Sequence, residues 1–440
     1  MYRKLISVLG LSLFIHSGLV NGQVEMKGFP WSVTQPGLQL NIPEYNYPPT
    51  DNSEALSKQG PGPYLVATAV PVNIQFPESG SMYKLENGNV IWKVKLTIEE
   101  AKGIGTYLDR FHLPAGVSMY ISNNNGRHII GPFTEQDNAE DGRLPIDAVQ
   151  GKAAYIELNI NADVDLDEID FHIYKLASYF RGISDLEYYS DEYTYGEIDW
   201  YDENAFNGSS KCMINANCPQ GAGYDFAKNA TVKEVIPAGG GYFGNCSGTL
   251  VNRLGNEPGA NCKRYLLTAT HCEGTNSTSD ASTPFSEWIT KFNYQSSACE
   301  NPSVAPVSNN LNGVKFLARD PYSESAGVGD LNADFLLLEL TKPAPSAISG
   351  SAVMVGFDRR ESHPKAYLLP KRFIFFHHPS GDIKKTSYSK TISSAADFYW
   401  GTEYFEGYGA QGSSGSGMFD NDQKIMGCGF YCYFRTRCSP

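Results

Sequence analysis

Apolar residues in this chain come in short runs that alternate with polar ones and stop at turns, and no stretch holds a helical period for long. Val90-Ile91-Trp92-Lys93-Val94-Lys95-Leu96 alternates, and within Ala154–Ile160 the side chains of Ile156, Leu158 and Ile160 fall on one face. Ile169–Tyr174 is a third such run, and Pro114-Ala115-Gly116 and Asn123-Asn124-Asn125-Gly126 supply turn signals between them. A period of two sends successive side chains to opposite faces of a strand, so one face can be buried while the other stays wet. Runs of this kind over residues 61–180 predict a small β-sandwich. From Cys212 onward short strands, Gly-rich turns and cysteines continue. There Ala333–Leu340, Ala352–Gly356 and Arg372–His377 read as buried strands and Val304–Ser325 as loop. The expected fold class is all-β.

The two halves differ in charge and in cysteine. Residues 1–206 carry 14 basic against 28 acidic residues, whereas residues 207–440 carry 21 against 20. A net charge of −13 argues against nucleic acid as a partner. All nine cysteines lie between Cys212 and Cys438. Residues 1–22 read as a secretory signal, with Arg3 and Lys4 ahead of an apolar Leu5–Ile15 and small residues near Val20 and Gly22. Export permits disulfides. After the signal no apolar run reaches about 18 residues, so no membrane association is expected once it is removed. Residues 23–60, rich in Pro, Asn, Gln and Ser, read as a poorly ordered lead-in.

Residues 181–206 hold eight acids against one base, Arg181, together with Tyr188, Tyr189, Tyr193, Tyr195, Trp200 and Tyr201. They read either as a solvated acidic linker or as an acidic-aromatic strap lying over a cleft until it is cut. The second reading starts the mature chain between about Ala205 and Cys212. The division is then a disposable half followed by a durable one over 207–440.

Three strings carry chemistry. In Tyr265-Leu266-Leu267-Thr268-Ala269-Thr270-His271-Cys272 an apolar strand runs into a small-residue turn that presents a histidine. In Asn332-Ala333-Asp334-Phe335-Leu336-Leu337-Leu338-Glu339-Leu340 one aspartate stands at the mouth of an apolar strand. Gly412-Ser413-Ser414-Gly415-Ser416-Gly417 is a loop of small residues. Alone, a histidine at a strand end is more often structural, and a Gly-Ser loop is more often a surface turn. Together they supply what a serine nucleophile needs: a base within reach, and an anion that fixes the tautomer of that base. The order His271, Asp334, Ser414 is one of the few in which such a triad occurs. An α/β-hydrolase elbow is disfavoured, because Ser416 stands where it needs glycine and no histidine follows Ser414.

These strings resemble the trypsin-like serine proteases, and within them the bacterial lysyl endopeptidase branch. Asn245-Cys246-Ser247-Gly248-Thr249-Leu250-Val251-Asn252, Phe292-Asn293-Tyr294-Gln295, Phe357-Asp358-Arg359-Arg360 and His377-His378-Pro379 agree, so the resemblance covers about Cys212 to Cys438. Phe111-His112-Leu113-Pro114-Ala115-Gly116 and Gly131-Pro132-Phe133-Thr134 are similar to that branch's propeptide. The resemblance implies a double β-barrel over 207–440, with His271 as general base, Asp334 as its orienting anion and Ser414 as nucleophile. The N–H groups of Gly412 and Ser414 would form the oxyanion hole. It implies protein or peptide substrates, the chain's own propeptide as partner, a secreted zymogen, and no cofactor or metal. It also implies the disulfides Cys246–Cys272, Cys218–Cys299 and Cys212–Cys438. Cys428 and Cys432 compete for the last of these, and Cys262 has no counterpart.

Ser413 stands where trypsin-like enzymes usually carry an Asp that pairs with a newly freed N-terminus. Activation by removal of a covering segment is therefore expected. Tyr408, six residues before Ser414, stands where Lys- and Arg-readers place an acid, and Phe430 replaces a histidine of the branch. Trp400 matches an aromatic wall of the substrate pocket. Cleavage after Lys is an expectation from the branch, whose acidic reader lies beyond the equivalent of Cys438. On that comparison the C-terminal part of the domain reads as incomplete. The competing readings are an inactive protease-fold binding protein, an N-terminal carbohydrate- or surface-binding module kept in the mature protein, and a zinc site at Cys428, Cys432 and Cys438, whose ligand spacing is loose.

Overall fold

The computed structural model describes residues 28–35, 38–57, 62–182, 209, 213–253, 263–273, 284–302, 308–321, 333–342, 353–358, 372–396 and 399–429. The signal segment, the acidic stretch from residue 183, Cys212, Cys262, Phe430, Cys432, Cys438 and the side chain of Trp400 lie outside the described residues.

The chain is all-β. Its N-terminal half supplies β1 (Glu44–Tyr47), β2 (Tyr64–Gln75), β3 (Ser81–Lys84), β4 (Val90–Ile98), β5 (Gly103–His112), β6 (Val117–Asn123), β7 (Ile129–Phe133), β8 (Leu144–Gln150), β9 (Ala153–Ile160) and β10 (Asp170–Tyr179). One sheet runs β1-β4-β9-β6-β7, with β3 also on β4, and the second layer runs β2-β10-β5-β8. The alternation seen in the sequence becomes the core between them: Trp92, Val94 and Leu96 from β4 meet Ile156 and Leu158 from β9 and Phe171 and Ile173 from β10. Trp92 is fully buried, meets Phe171 edge-on at 5.5 Å, and donates its indole N–H to the Pro77 carbonyl at 2.9 Å. A buried indole needs such a partner.

The expectation of a poorly ordered lead-in over 23–60 is corrected by β1. Tyr45 and Tyr47 pack against the core, and Glu44 bonds Lys95 and Thr97, each at 2.9 Å. A four-residue strand among Pro and Asn is too short to outweigh the composition around it, yet its two tyrosines find an open edge of β4.

The C-terminal half begins with β11 (Ile214–Asn215) and then builds β12 (Thr231–Pro237), β13 (Tyr242–Val251), β14 (Tyr265–Ala269), β15 (Ile289–Phe292), β16 (Asn309–Asn312), β17 (Val314–Arg319) and β18 (Phe335–Leu340). Antiparallel ladders join β12 to β13, β13 to β14, β14 to β18, β18 to β17, β16 to β15 and β15 to β12. Only Gly313 separates β16 from β17, so the ladder returns to its start and closes a six-stranded barrel. Residues 309–319, expected as loop, are thus the strand that closes it. Their alternation is masked by Asn309, Asn310 and Asn312, while Leu311 and Val314 are the buried members.

The second sheet uses β19 (Arg372–His377), β20 (Lys385–Ala396), β21 (Tyr399–Glu406), β22 (Gly417–Phe419) and β23 (Ile425–Cys428), in the order β11-β20-β19-β22-β23 with β21 on β20. Ile374, Phe376, Phe419 and Ile425 of this sheet share one core with Val232, Leu250, Leu266 and Leu338 of the barrel. The predicted strand over 352–356 shrinks to isolated bridges at Val355 and Phe357.

The halves are joined by a ladder. β2 pairs antiparallel with β13, Thr68 opposite Tyr242 through Tyr64 opposite Asn245, so one sheet runs from the sandwich into the barrel. Around it Tyr107 stacks on Phe243 at 4.7 Å, Arg143 and Lys175 both bond Glu287, at 2.6 and 2.5 Å, and Lys291 bonds Asp147 at 2.5 Å.

Candidate active site

His271 and Asp334 meet because of strand register. β14 ends at Ala269, opposite Phe335 at the start of β18, so the residues just outside that pair face each other. The Thr270 hydroxyl locks the approach by donating to the Phe335 carbonyl at 2.7 Å. The Asp334 carboxylate then takes two bonds from one residue. Oδ1 accepts the His271 backbone N–H at 3.0 Å, and Oδ2 lies 2.6 Å from Nδ1. An ionised carboxylate only accepts, so Nδ1 carries the proton and Nε2 is the basic nitrogen. Asp334 holds this pose at φ 47°, a left-handed conformation that Asp tolerates better than most residues. The Cys246–Cys272 disulfide ties the histidine turn to β13, and Cys218–Cys299 forms as well.

The Ser414 loop is seated on β13, the neighbour of β14. The Ser247 N–H donates to the Ser414 carbonyl at 2.9 Å, and the Ser247 hydroxyl donates to the Gly412 carbonyl at 2.8 Å. Gly415 has φ 83°, and a side chain there would collide with the Thr268 hydroxyl and the Ser247 carbonyl. Gly415→Ala is therefore expected to cost more than about 1 kcal/mol of stability and to displace Ser414. Denaturant midpoint and activity measured together on that variant check this.

Ser414 is 2% exposed and His271 3% exposed. Around Ser414 the N–H groups of Ser413, Gly415 and Ser416 are bonded to the Ala410, Gly429 and Ser413 carbonyls. Those of Gly412 and Ser414 donate to none of the described residues, and neither does the Ser414 hydroxyl. Two flanking donors left open beside a hydroxyl are what an oxyanion requires.

Several further groups lie near the site. His377 lies between two hydroxyls, Nδ1 at 2.7 Å from Ser413 Oγ and Nε2 at 2.8 Å from Ser387 Oγ. Burial, followed by the nearby Lys385 charge, pushes the His377 imidazole down to about 3. His378 Nδ1 lies 2.9 Å from the Asp382 carbonyl, and its pKa is likewise lowered by burial and by Lys384. Lys233 donates to the Gly381 carbonyl at 2.6 Å. Cys428 is a free thiol that burial pushes up to about 12. The string His377-His378-Pro379 marks the place, but only the fold reveals that Ser413 is the partner. Trp400 sits on β21 opposite Ser394. Among the described residues no three His, Cys, Asp or Glu side chains converge as a metal site.

A closed six-stranded barrel, a second antiparallel sheet sharing its core, a buried His–Asp pair at the end of β14 and a Gly-Ser loop seated on neighbouring β13 fit the trypsin-like protease class. Residues 206–430 match the family described as Lysyl endopeptidase, C-terminal domain, and the chain belongs to that family. Solved structures that are similar include one described as GrC, at 13% identity over 49% of this chain and 88% of that one with a TM-score of 0.32. Another is the Rv3671c protease in an inactive form, at 12% identity over 48% and 80% with a TM-score of 0.28. At such scores the likeness is loose, and the family rests on the match over 206–430.

Proposed function

We propose that this protein is a secreted serine endopeptidase made as a zymogen, cutting after Lys by acyl-enzyme chemistry. The observation that carries the proposal is the His271–Asp334 pair on a turn whose Cys272 Sγ lies 3.8 Å from the Ser414 carbonyl oxygen, together with the two open N–H groups of the Ser414 loop. Nε2 of His271 takes the Ser414 proton as Oγ attacks the scissile carbonyl. The N–H groups of Gly412 and Ser414 hold the oxyanion, each donor worth about 2.7–4 kcal/mol of barrier. The imidazolium, stabilised by Asp334, then protonates the leaving amine, and water repeats the sequence on the ester.

Burial of Ser414 and His271 in the full chain, and the β2–β13 ladder that ends at Asn245, two residues from Ser247, support a zymogen. Residues 1–22 are the signal, 61–180 the propeptide domain, 181–206 the activation segment and 207–440 the protease domain. Preference for Lys rests on the family. Among the described residues no helix is long and apolar enough to cross a membrane.

A fluorophosphonate probe tests the reading on processed protein. Labelling at Ser414 that is lost in Ser414→Ala and in His271→Ala is the expected result, and a wild type that stays unlabelled overturns it. The cleavage profile on a denatured protein mixture checks the Lys preference separately.

A further inference from the structure

Ser413 separates the two N–H groups proposed to hold the oxyanion, and its side chain is anchored where a charge would ordinarily be. The Ala410 N–H donates to Ser413 Oγ at 3.1 Å, and the Ser413 N–H donates to the Ala410 carbonyl at 2.9 Å, closing residues 410–413 into one turn. Beyond Ser413 stands His377 of β19, and beyond that Ser387 of β20, whose hydroxyl donates to the Tyr408 carbonyl at 3.3 Å. Every proton in this chain has one consistent place. Because Ser387 donates to Tyr408, it accepts from Nε2–H of His377. Nδ1 is then the acceptor for the Ser413 hydroxyl, which in turn accepts from Ala410. The relay starts and ends on backbone of the same loop, at Ala410 and at Tyr408.

We propose that His377 is a positioning residue: through Ser413 it holds the Gly412 and Ser414 N–H groups in their donor-ready orientation, an uncharged substitute for the ion pair to a new N-terminus. The inference rests on the reading of Ser414 as nucleophile. It adds that the loop is already formed in the full chain, so that uncovering the site is sufficient to activate it. The burial that keeps the imidazole neutral suits this role, since a ring protonated at both nitrogens has no acceptor for the Ser413 hydroxyl. At Gly412, with φ 90° and no side chain, the preceding Gln411 carbonyl accepts the Ser380 N–H at 2.6 Å and the Gly412 carbonyl accepts the Ser247 hydroxyl at 2.8 Å, and the Ser413 anchor completes the contacts that fix this turn up to Ser414.

Two substitutions in the processed enzyme separate the two ends of the relay. An Asn side chain places a polar atom near Nδ1, within reach of Ser413 but not of Ser387. A Gln side chain reaches toward Nε2 and Ser387 but not Ser413. His377→Gln is expected to lower kcat about 10- to 100-fold with KM within about twofold, the signature of a transition-state contact made loose. His377→Asn is expected to stay within a few-fold of wild type. Ser413→Ala, a small deletion that keeps the backbone and serves if a His377 variant fails to fold, should match His377→Gln, and the double variant should add little. Full kcat in His377→Gln or in Ser413→Ala overturns the inference, as does an Asn variant no better than the Gln one. A wild type that neither cleaves nor takes the probe overturns the nucleophile assignment instead.

Discussion

Ser414→Ala and His271→Ala are each expected to lower kcat of the processed enzyme about a million-fold, and Asp334→Asn about ten-thousand-fold, the losses that serine and triad-Asp deletions produce in such sites. The three differ for a geometric reason. Without the hydroxyl there is no ester, and without the imidazole there is no acceptor for its proton, so either change removes the whole covalent route. Asp334→Asn keeps a side chain of the same shape. Its carbonyl oxygen can still accept the His271 backbone N–H, as Oδ1 does at 3.0 Å. What it cannot do is serve as an anion at the 2.6 Å contact with Nδ1. An amide N–H there faces the ring nitrogen as a donor, which puts the proton on Nε2, the atom that must accept one from Ser414. Single-turnover hydrolysis separates chemistry from product release. The expected pattern is a collapsed acylation rate with substrate binding retained. Equal, small losses in all three variants would contradict the assigned roles.

What could be read from residues alone follows from where the information sits. Strand periodicity is local, so Val90–Leu96 and Ala154–Ile160 announce themselves and the all-β class follows. The triad strings are also local: an apolar strand ending in a small-residue turn before His271, and one acid at the mouth of the strand starting at Phe335. Their meeting depends on the register of Ala269 opposite Phe335, which the strings imply only jointly. Partnerships across long stretches of chain were out of reach. His377 bonds Ser413 from 36 residues away, and Lys291 bonds Asp147 from 144 away. Neither partner carries a mark in its own neighbourhood. β1 and the 309–319 strand were hidden for a different reason: their packing is supplied by an open edge elsewhere, which outweighs an unpromising composition.

The second large effect concerns the joint between the halves. Asp147→Ala is expected to cost about 3–5 kcal/mol in the full chain, because it leaves the Lys291 ammonium buried without its carboxylate. Asp147 is almost fully buried and accepts from Lys291 at 2.5 Å, from Asn310 at 3.3 Å and from the Ala148 N–H at 2.9 Å. Burial alone pushes its carboxyl up. The Lys291 charge and hydrogen bond, the Ala148 N–H and the Lys233 charge outweigh that and leave it below the ordinary carboxylate value. A carboxyl whose pKa is lowered by folding stabilises the protein above its unfolded value and loses that contribution as pH falls through the folded one. Acid well below pH 4 should therefore loosen this joint.

Lys233 beside it behaves differently. Burial, then the Lys291 charge, pushes it down to about 7, with Asp147 and Asp382 opposing. Between about 7 and its ordinary 10.5 the unfolded chain holds more protons, so this group makes stability rise with pH across that window. Removing Asp147 leaves two neighbouring lysines facing each other and should steepen that rise. Asp147→Leu combined with Lys291→Met deletes both charges and should recover most of the loss, as apolar replacements of buried pairs commonly do. Denaturant unfolding of wild type and of the single and double variants at pH 7, repeated at pH 9 and in acid below pH 4, reads all of this. A single variant as stable as wild type, or a double variant no better than the single, would show that the ion pair does not hold the sandwich to the barrel.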